Sequence, residues 1–114
     1  MSESRVGAAM DIRFGVTVEE FMAYVTDLGL DHVEFKSEYL AGHPNTPDPE
    51  RVGELADTYG VTLSYHAPFR DWNMGSYDET VRQDSVERVK QTIDDAAAAG
   101  ATSVVVHGGS VPHR

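Results

Sequence analysis

Val61-Thr62-Leu63-Ser64-Tyr65-His66-Ala67-Pro68-Phe69 is the stretch whose reading decides the fold. Val61, Leu63 and Tyr65 alternate with Thr62, Ser64 and His66, the period-two pattern of a strand with one apolar face. Pro68 then removes a backbone donor and ends the run. Ser103-Val104-Val105-Val106-His107-Gly108-Gly109 repeats the design, with a glycine pair as the breaker. Each stretch therefore delivers a histidine at the C-terminal end of a strand.

The sequence between and before these stretches supplies the units that belong with them. Residues 1–9 carry no periodicity and read as a leader, and a first strand is expected over 10–16, with Ile12, Phe14 and Val16 on one face. Thr17-Val18-Glu19-Glu20 is a capping-box pattern, after which Val18, Phe21, Met22, Val25 and Leu28 recur at helical spacing up to Gly29. A second strand over 31–36 sets Val33 and Phe35 against His32, Glu34 and Lys36. Asp48-Pro49 is an N-cap followed by proline in the first helical turn, and Val52, Leu55, Ala56 and Tyr59 form the stripe before Gly60. Ser76-Tyr77-Asp78-Glu79 offers a further capping box to a long helix whose expected buried stripe is Val86, Val89, Ile93 and Ala96 or Ala97, ending at Gly100. The last strand is expected over 102–107.

Strands alternating with helices at this cadence imply an α/β fold with a parallel sheet and right-handed crossovers. An open doubly wound sheet buries both faces and favours strands that are apolar almost throughout. Here three of the four strands alternate, so one face suits a helix layer and the other is polar towards its C-terminal edge. A barrel with helices outside and a polar mouth fits that asymmetry better. A closed barrel of this kind takes eight β/α units and about 250 residues. The 114 residues here match the first four strands and three helices, a half barrel over residues 10–114.

Composition narrows the function classes. The formal net charge of -10, from 19 acidic and 9 basic residues, repels phosphate backbones and speaks against nucleic acid as a partner. The acidic, lysine-poor surface resembles that of proteins from high-salt cytoplasms. No apolar run approaches the roughly 18 residues of a membrane helix, and the polar start lacks a secretory signal pattern, so a cytoplasmic location is expected. Without cysteine, a metal must be held by histidine, carboxylate and water.

In (β/α)₈ enzymes the active site lies at the C-terminal ends of the strands, which gives weight to His66, His107 and Glu34. Neutral imidazoles on neighbouring inward positions can share one ion, but two ligands alone hold zinc poorly. The alternative for each histidine is a hydrogen-bonded residue at a strand end, and for Glu34 a solvated carboxylate. Phe69, Trp72 and Asn73 suit either the wall of a substrate pocket or a cap on the barrel rim. Gly108-Gly109-Ser110 is either an anion-binding turn or a plain Gly-Gly turn. His32, His43 and His113 read as surface loop residues, and the carboxylates over 78–95 as a solvated helix face.

The strand Val33-Glu34-Phe35, the turn His66-Ala67-Pro68-Phe69 with Asn73 nearby, the helix over 85–100 and the run Val104-Val105-Val106-His107-Gly108-Gly109 together resemble the xylose isomerase-like barrel superfamily. That superfamily includes sugar-phosphate isomerases and epimerases and endonuclease IV-type enzymes, and the resemblance runs from about residue 10 to residue 109. In the isomerase and epimerase branch, it implies metal-assisted proton transfer beside a carbonyl of a sugar. Glu34 is then the catalytic group, and His66, His107, Trp72 and Asn73 line the substrate pocket. A divalent metal (Mn, Mg, Co or Zn) is held mainly by groups absent from this half. In the endonuclease branch, the alternative, His66 and His107 are zinc ligands and zinc activates water against a phosphodiester. A third reading is a non-catalytic half barrel or gene fragment. The open sheet edges imply a homo-oligomer or an association that completes the barrel.

Overall fold

The computed structural model describes residues 6–10, 15–37, 40, 46–68 and 72–109. Its elements are β1 (Ala8–Met10), α1 (Val18–Asp27), β2 (His32–Lys36), α2 (Pro49–Tyr59), β3 (Thr62–His66), α3 (Glu79–Ala99) and β4 (Ser103–Val105). The four strands form one parallel sheet in the order β1-β2-β3-β4. Successive strands are neighbours, as in a barrel wall, and the chain never reverses direction across the sheet as a doubly wound fold does.

The helix ends follow the sequence signals with one change. Thr17 caps α1 and exchanges side-chain and backbone bonds with Glu20, completing the capping box. Asp48 caps α2 by accepting from the Arg51 N–H, and Gly60 ends it in the left-handed conformation that a β-carbon disfavours. At α3 the cap is Asp78, which accepts from the Val81 N–H, and Ser76 instead accepts from the Asp78 N–H just before the helix. The expected capping box at Ser76 is thus replaced by a serine turn leading into an aspartate cap.

The sheet has the two unlike faces that its alternation implies. Val33, Phe35, Leu63 and Tyr65 point to the helix layer and are fully buried, with Phe35 and Tyr65 meeting edge to face at 6.0 Å. They form one core with Val18, Phe21, Met22 and Val25 of α1 and Val52, Leu55 and Ala56 of α2. The other face carries His32, Glu34, Thr62, Ser64, His66 and Ser103, and of these only Ser64 is buried.

Two expectations about the core need correction. β1 occupies Ala8–Met10, N-terminal to most of the expected strand, and pairs Ala8 with Val33 and Met10 with Phe35. Residues 11–14, with Ile12 and Phe14, lie outside the described residues. Glycine and alanine have low strand propensity, so this stretch gave no signal. It is held in place by tertiary contacts: Met10 is completely buried, and a β-carbon on Gly7 would collide with the His32 backbone. In α3 the buried positions are Ser85, Thr92, Ala96 and Ala99, whereas Ile93 is 47% exposed and Val86 and Val89 are half-buried. The helix is rotated so that small and hydroxyl side chains meet the sheet and α2. Close packing requires this, because Gly53 of α2 lies against the backbone of Ala99.

Candidate functional site

The site is built where β3 and β4 end. His66 is the last residue of β3, and the β3 pairing continues past it through the bond from the Ala67 N–H to the Val105 carbonyl. That bond fixes the register in which Val105 stands opposite His66. His107 lies two residues further along, on the same side of the strand path. The imidazoles meet through their Nε2 atoms at 3.1 Å, with ring centres 4.8 Å apart.

One proton position in this pair follows from the neighbours. His66 Nδ1 lies 3.0 Å from the Ala67 carbonyl oxygen, which can only accept, so the hydrogen of a neutral His66 sits on Nδ1. His66 Nε2 is then the lone-pair nitrogen and His107 Nε2–H donates to it. A backbone carbonyl thereby aims the lone pair of His66 into the space it shares with His107.

Towards the centre of the sheet, a second hydrogen-bonded group lies on the same face. Ser64 donates to Glu34 Oε1 at 3.1 Å, and His32 Nε2 contacts Ser64 Oγ at 2.9 Å while its Nδ1 contacts Thr62 Oγ1 at 2.6 Å. Register explains the grouping, since Glu34 stands opposite Ser64 and His32 opposite Thr62. His32, expected on a surface loop, thus opens β2 and is tied to the Glu34 carboxylate through Ser64. The alternation of residues 31–36 already put His32 and Glu34 on one face; the cross-strand hydroxyls that connect them depend on the register between strands, which a single strand's pattern does not contain.

The two loop residues proposed for the pocket separate. Asn73 Oδ1 accepts from the Gly75 N–H, its backbone N–H donates to Ser85 Oγ, and Gly109 packs directly against its side chain. Asn73 therefore joins the loop before α3 to the glycine turn after His107. Gly109 takes φ +85°, so its role there is close approach and a left-handed backbone. Trp72 lies under the Arg88 guanidinium, 5.0 Å from the ring centre, and lines a cavity on the helix side of the sheet. Phe69, His43, Ser110 and His113 lie outside the described residues.

The imidazole pair fits a metal as two ligands of a larger set. Two nitrogens each about 2.0–2.1 Å from a tetrahedral ion lie roughly 3.3 Å apart, close to the separation seen here. Among the described residues no group of three or more histidine and carboxylate side chains comes together to complete such a set. No helix among them is long and apolar enough to cross a membrane.

Residues 22–114 match the family described as xylose isomerase-like TIM barrel. The uncharacterized protein MJ1311 of Methanocaldococcus jannaschii is 42% identical over 59 residues, which are 52% of this chain and 20% of that protein. A D-tagatose 3-epimerase-like protein superposes with a TM-score of 0.71 at 28% identity, covering 95% of this chain and 40% of the other. Endonuclease IV from Thermus thermophilus superposes with a TM-score of 0.73 at 24% identity, covering 96% and 42%. The chain thus spans about a fifth of the curated relative and about two-fifths of these solved structures. The described residues form four parallel strands and three helices of one barrel wall, with His66 at the end of β3 and His107 two residues past β4, and the chain belongs to the xylose isomerase-like TIM barrel family.

Proposed function

We propose that this chain provides one wall of the substrate pocket of a sugar isomerase or epimerase, a protein that moves a proton beside a sugar carbonyl. The observation that carries this reading is that Glu34, midway along β2, and the His66–His107 pair, at the C-terminal ends of the β3 and β4 paths, lie on one polar sheet face. Glu34 is the proton-transfer group. Ser64 holds its Oε1, and among the described residues its Oε2 has no hydrogen-bond partner, which leaves that oxygen to take and return the proton. His66 and His107 bind substrate oxygens, one offering a lone pair and the other an N–H. Asn73, packed against Gly109, contributes through the loop that frames this edge, whereas Trp72 faces the cavity on the other side of the sheet. A divalent metal (Mn, Mg, Co or Zn) would be held mainly by groups of the completed barrel and would supply Lewis-acid polarisation of the sugar oxygens. The setting is cytoplasmic, in keeping with a chain free of cysteine.

Four strands make half of an eight-stranded barrel, and Val105 and Val106 at the β4 edge are each more than 40% exposed. Four further strands, whether from the rest of the same protein, a second copy or another chain, would cover that edge.

The test is to add a ketose, D-fructose or D-tagatose, and Mn to the protein in heavy water and follow the proton next to the carbonyl by NMR. Metal-dependent exchange that is lost in Glu34→Gln is expected. Exchange that persists in Glu34→Gln would remove Glu34 from the proton path. Ketose addition that leaves the His66 and His107 ring signals unmoved would remove the pocket itself.

Zinc-dependent hydrolysis at abasic sites is the second reading, and the 3.1 Å separation of the two Nε2 atoms favours it specifically. A net charge of -10 opposes it by repelling the phosphates of a duplex. Cleavage of an abasic oligonucleotide with zinc at physiological salt would decide for it.

A further inference from the structure

On the opposite side of the sheet from the imidazoles, a half-open cavity of about 610 Å³ lies between β3, α2 and α3. Tyr65 and Thr46 both line it, and among the described residues the side-chain oxygens of both are buried without a hydrogen-bond partner. Tyr65 is 1% exposed, one of the most deeply buried large side chains of the core. A buried hydroxyl without a partner costs about 1–3 kcal/mol, so two at one cavity mark a place where the protein alone is unsatisfied.

The charge and polarity of the lining narrow the ligand. α3 turns Arg88, Gln91, Thr92 and Asp95 towards the cavity, positions spaced to share one helix face. One cation and one anion make the described lining neutral in sum, which disfavours a ligand carrying net charge of either sign. Arg88 sits over Trp72 and has no carboxylate partner among the described residues, so its N–H groups can donate to a ligand. Asp95 accepts from Gln91 with one oxygen, leaving the other as an acceptor. Pro47, Val52 and Pro68 supply apolar wall. Alternating donors and acceptors over an apolar surface is the complement of a chain of hydroxyl groups on a carbon skeleton.

We propose that this cavity is a second binding site, separate from the sheet face that carries His66, for a small uncharged polyol, with Tyr65 and Thr46 hydroxyls as its buried anchors. The neutral phenol suits this role, since burial, helped by the nearby Asp95 charge, pushes Tyr65 up to about 12 and keeps it protonated. This inference stands independently of the proposed catalytic reading.

The test is titration of the full chain with xylitol, followed by amide NMR. Shifts concentrated at Val52, Gln91 and Thr92 are expected, and Tyr65→Phe and Thr46→Ala should each weaken binding roughly fivefold to tenfold, the loss of about one hydrogen bond. Glu34→Gln, on the other face, should leave the affinity unchanged. Tyr65→Phe removes only an unsatisfied hydroxyl and keeps the ring, so it should fold at least as well as the parent. Xylitol shifts that are absent, that fall on His66 and His107 instead, or that survive Tyr65→Phe unchanged would overturn the proposal. So would occupancy by ordered water alone in a crystal grown with xylitol.

Discussion

Ser64 donates to Glu34 across the β2–β3 pair at 3.1 Å, and it is the one buried residue on a sheet face otherwise half open to water. His32 contacts the same hydroxyl from the other side. Ser64→Ala should remove both contacts and lower stability by about 1 kcal/mol, the net value of a hydrogen bond in such a setting. Urea denaturation of parent and variant measures this. An unchanged midpoint would mean that the three side chains share a face without any energetic coupling.

The His66–His107 contact predicts how the chain takes up zinc. Substitutions that only misalign a metal ligand cost roughly 10–100-fold in affinity, so losing one of two ligands should cost at least about tenfold. His66→Ala and His107→Ala should therefore weaken zinc binding alike, and zinc should move the ring signals of both histidines together in the parent. Calorimetry in which His107→Ala binds as well as the parent would place the ion elsewhere.

Much of this site was legible in the sequence, and the parts that were not have a common cause. Placement of His66 at the end of β3 followed from its stretch read alone, because alternation and a breaker are local properties, whereas β4 closes at Val105, short of the expected 102–107, and leaves His107 two residues past the strand. The link from His32 through Ser64 to Glu34 depends on cross-strand register, a relation between segments 30 residues apart. α3 misled for a related reason. Val86, Val89 and Ile93 are among its most apolar positions, but the approach of Gly53 to Ala99 turns a small-residue face inward, and Ser85 and Thr92 then bond back to the carbonyls of Val81 and Arg88. Packing distance overrode hydrophobicity there, and Ile93 was left exposed.

Tyr65 predicts a loss of stability in base. An unfolded tyrosine ionises near pH 10, whereas burial raises the folded group to about 12. The folded state therefore prefers the neutral phenol. Its contribution is complete below about pH 10 and is lost as pH rises through the folded value. A shift of this size corresponds to about 3 kcal/mol. Denaturation curves at about pH 9 and about pH 11.5 should show the parent losing more stability than Tyr65→Phe over that window. Equal losses would mean that the phenol ionises in the folded protein as it does in water.

Gly53→Ala sets two effects against each other. Alanine inside a helix gains up to about 1 kcal/mol over glycine. A β-carbon here would sit 2.8 Å from the Ala99 carbonyl oxygen, a backbone atom that can yield only if α2 and α3 separate. Overpacking of this kind costs roughly 1–3 kcal/mol, so a net loss of stability is expected. Thermal melting checks the sign, and a stabilised variant would show that the two helices have slack between them.

Gly109 and Gly108 form a matched pair for testing how the His107 strand end is held. Gly109 has φ +85°, and a β-carbon there would run into Asn73 Oδ1 and the backbone nitrogens of Met74 and Gly75. The left-handed conformation alone costs a non-glycine residue about 1–2 kcal/mol, before any collision. Gly108 meets nothing within 4 Å of its would-be β-carbon and has no positive φ. Gly109→Ala should therefore destabilise the chain and pull the turn away from Asn73, weakening the magnetic contact between the His66 and His107 rings. Gly108→Ala should leave both stability and that contact unchanged. If the two variants behave alike, the Asn73–Gly109 contact is not what holds His107 against His66.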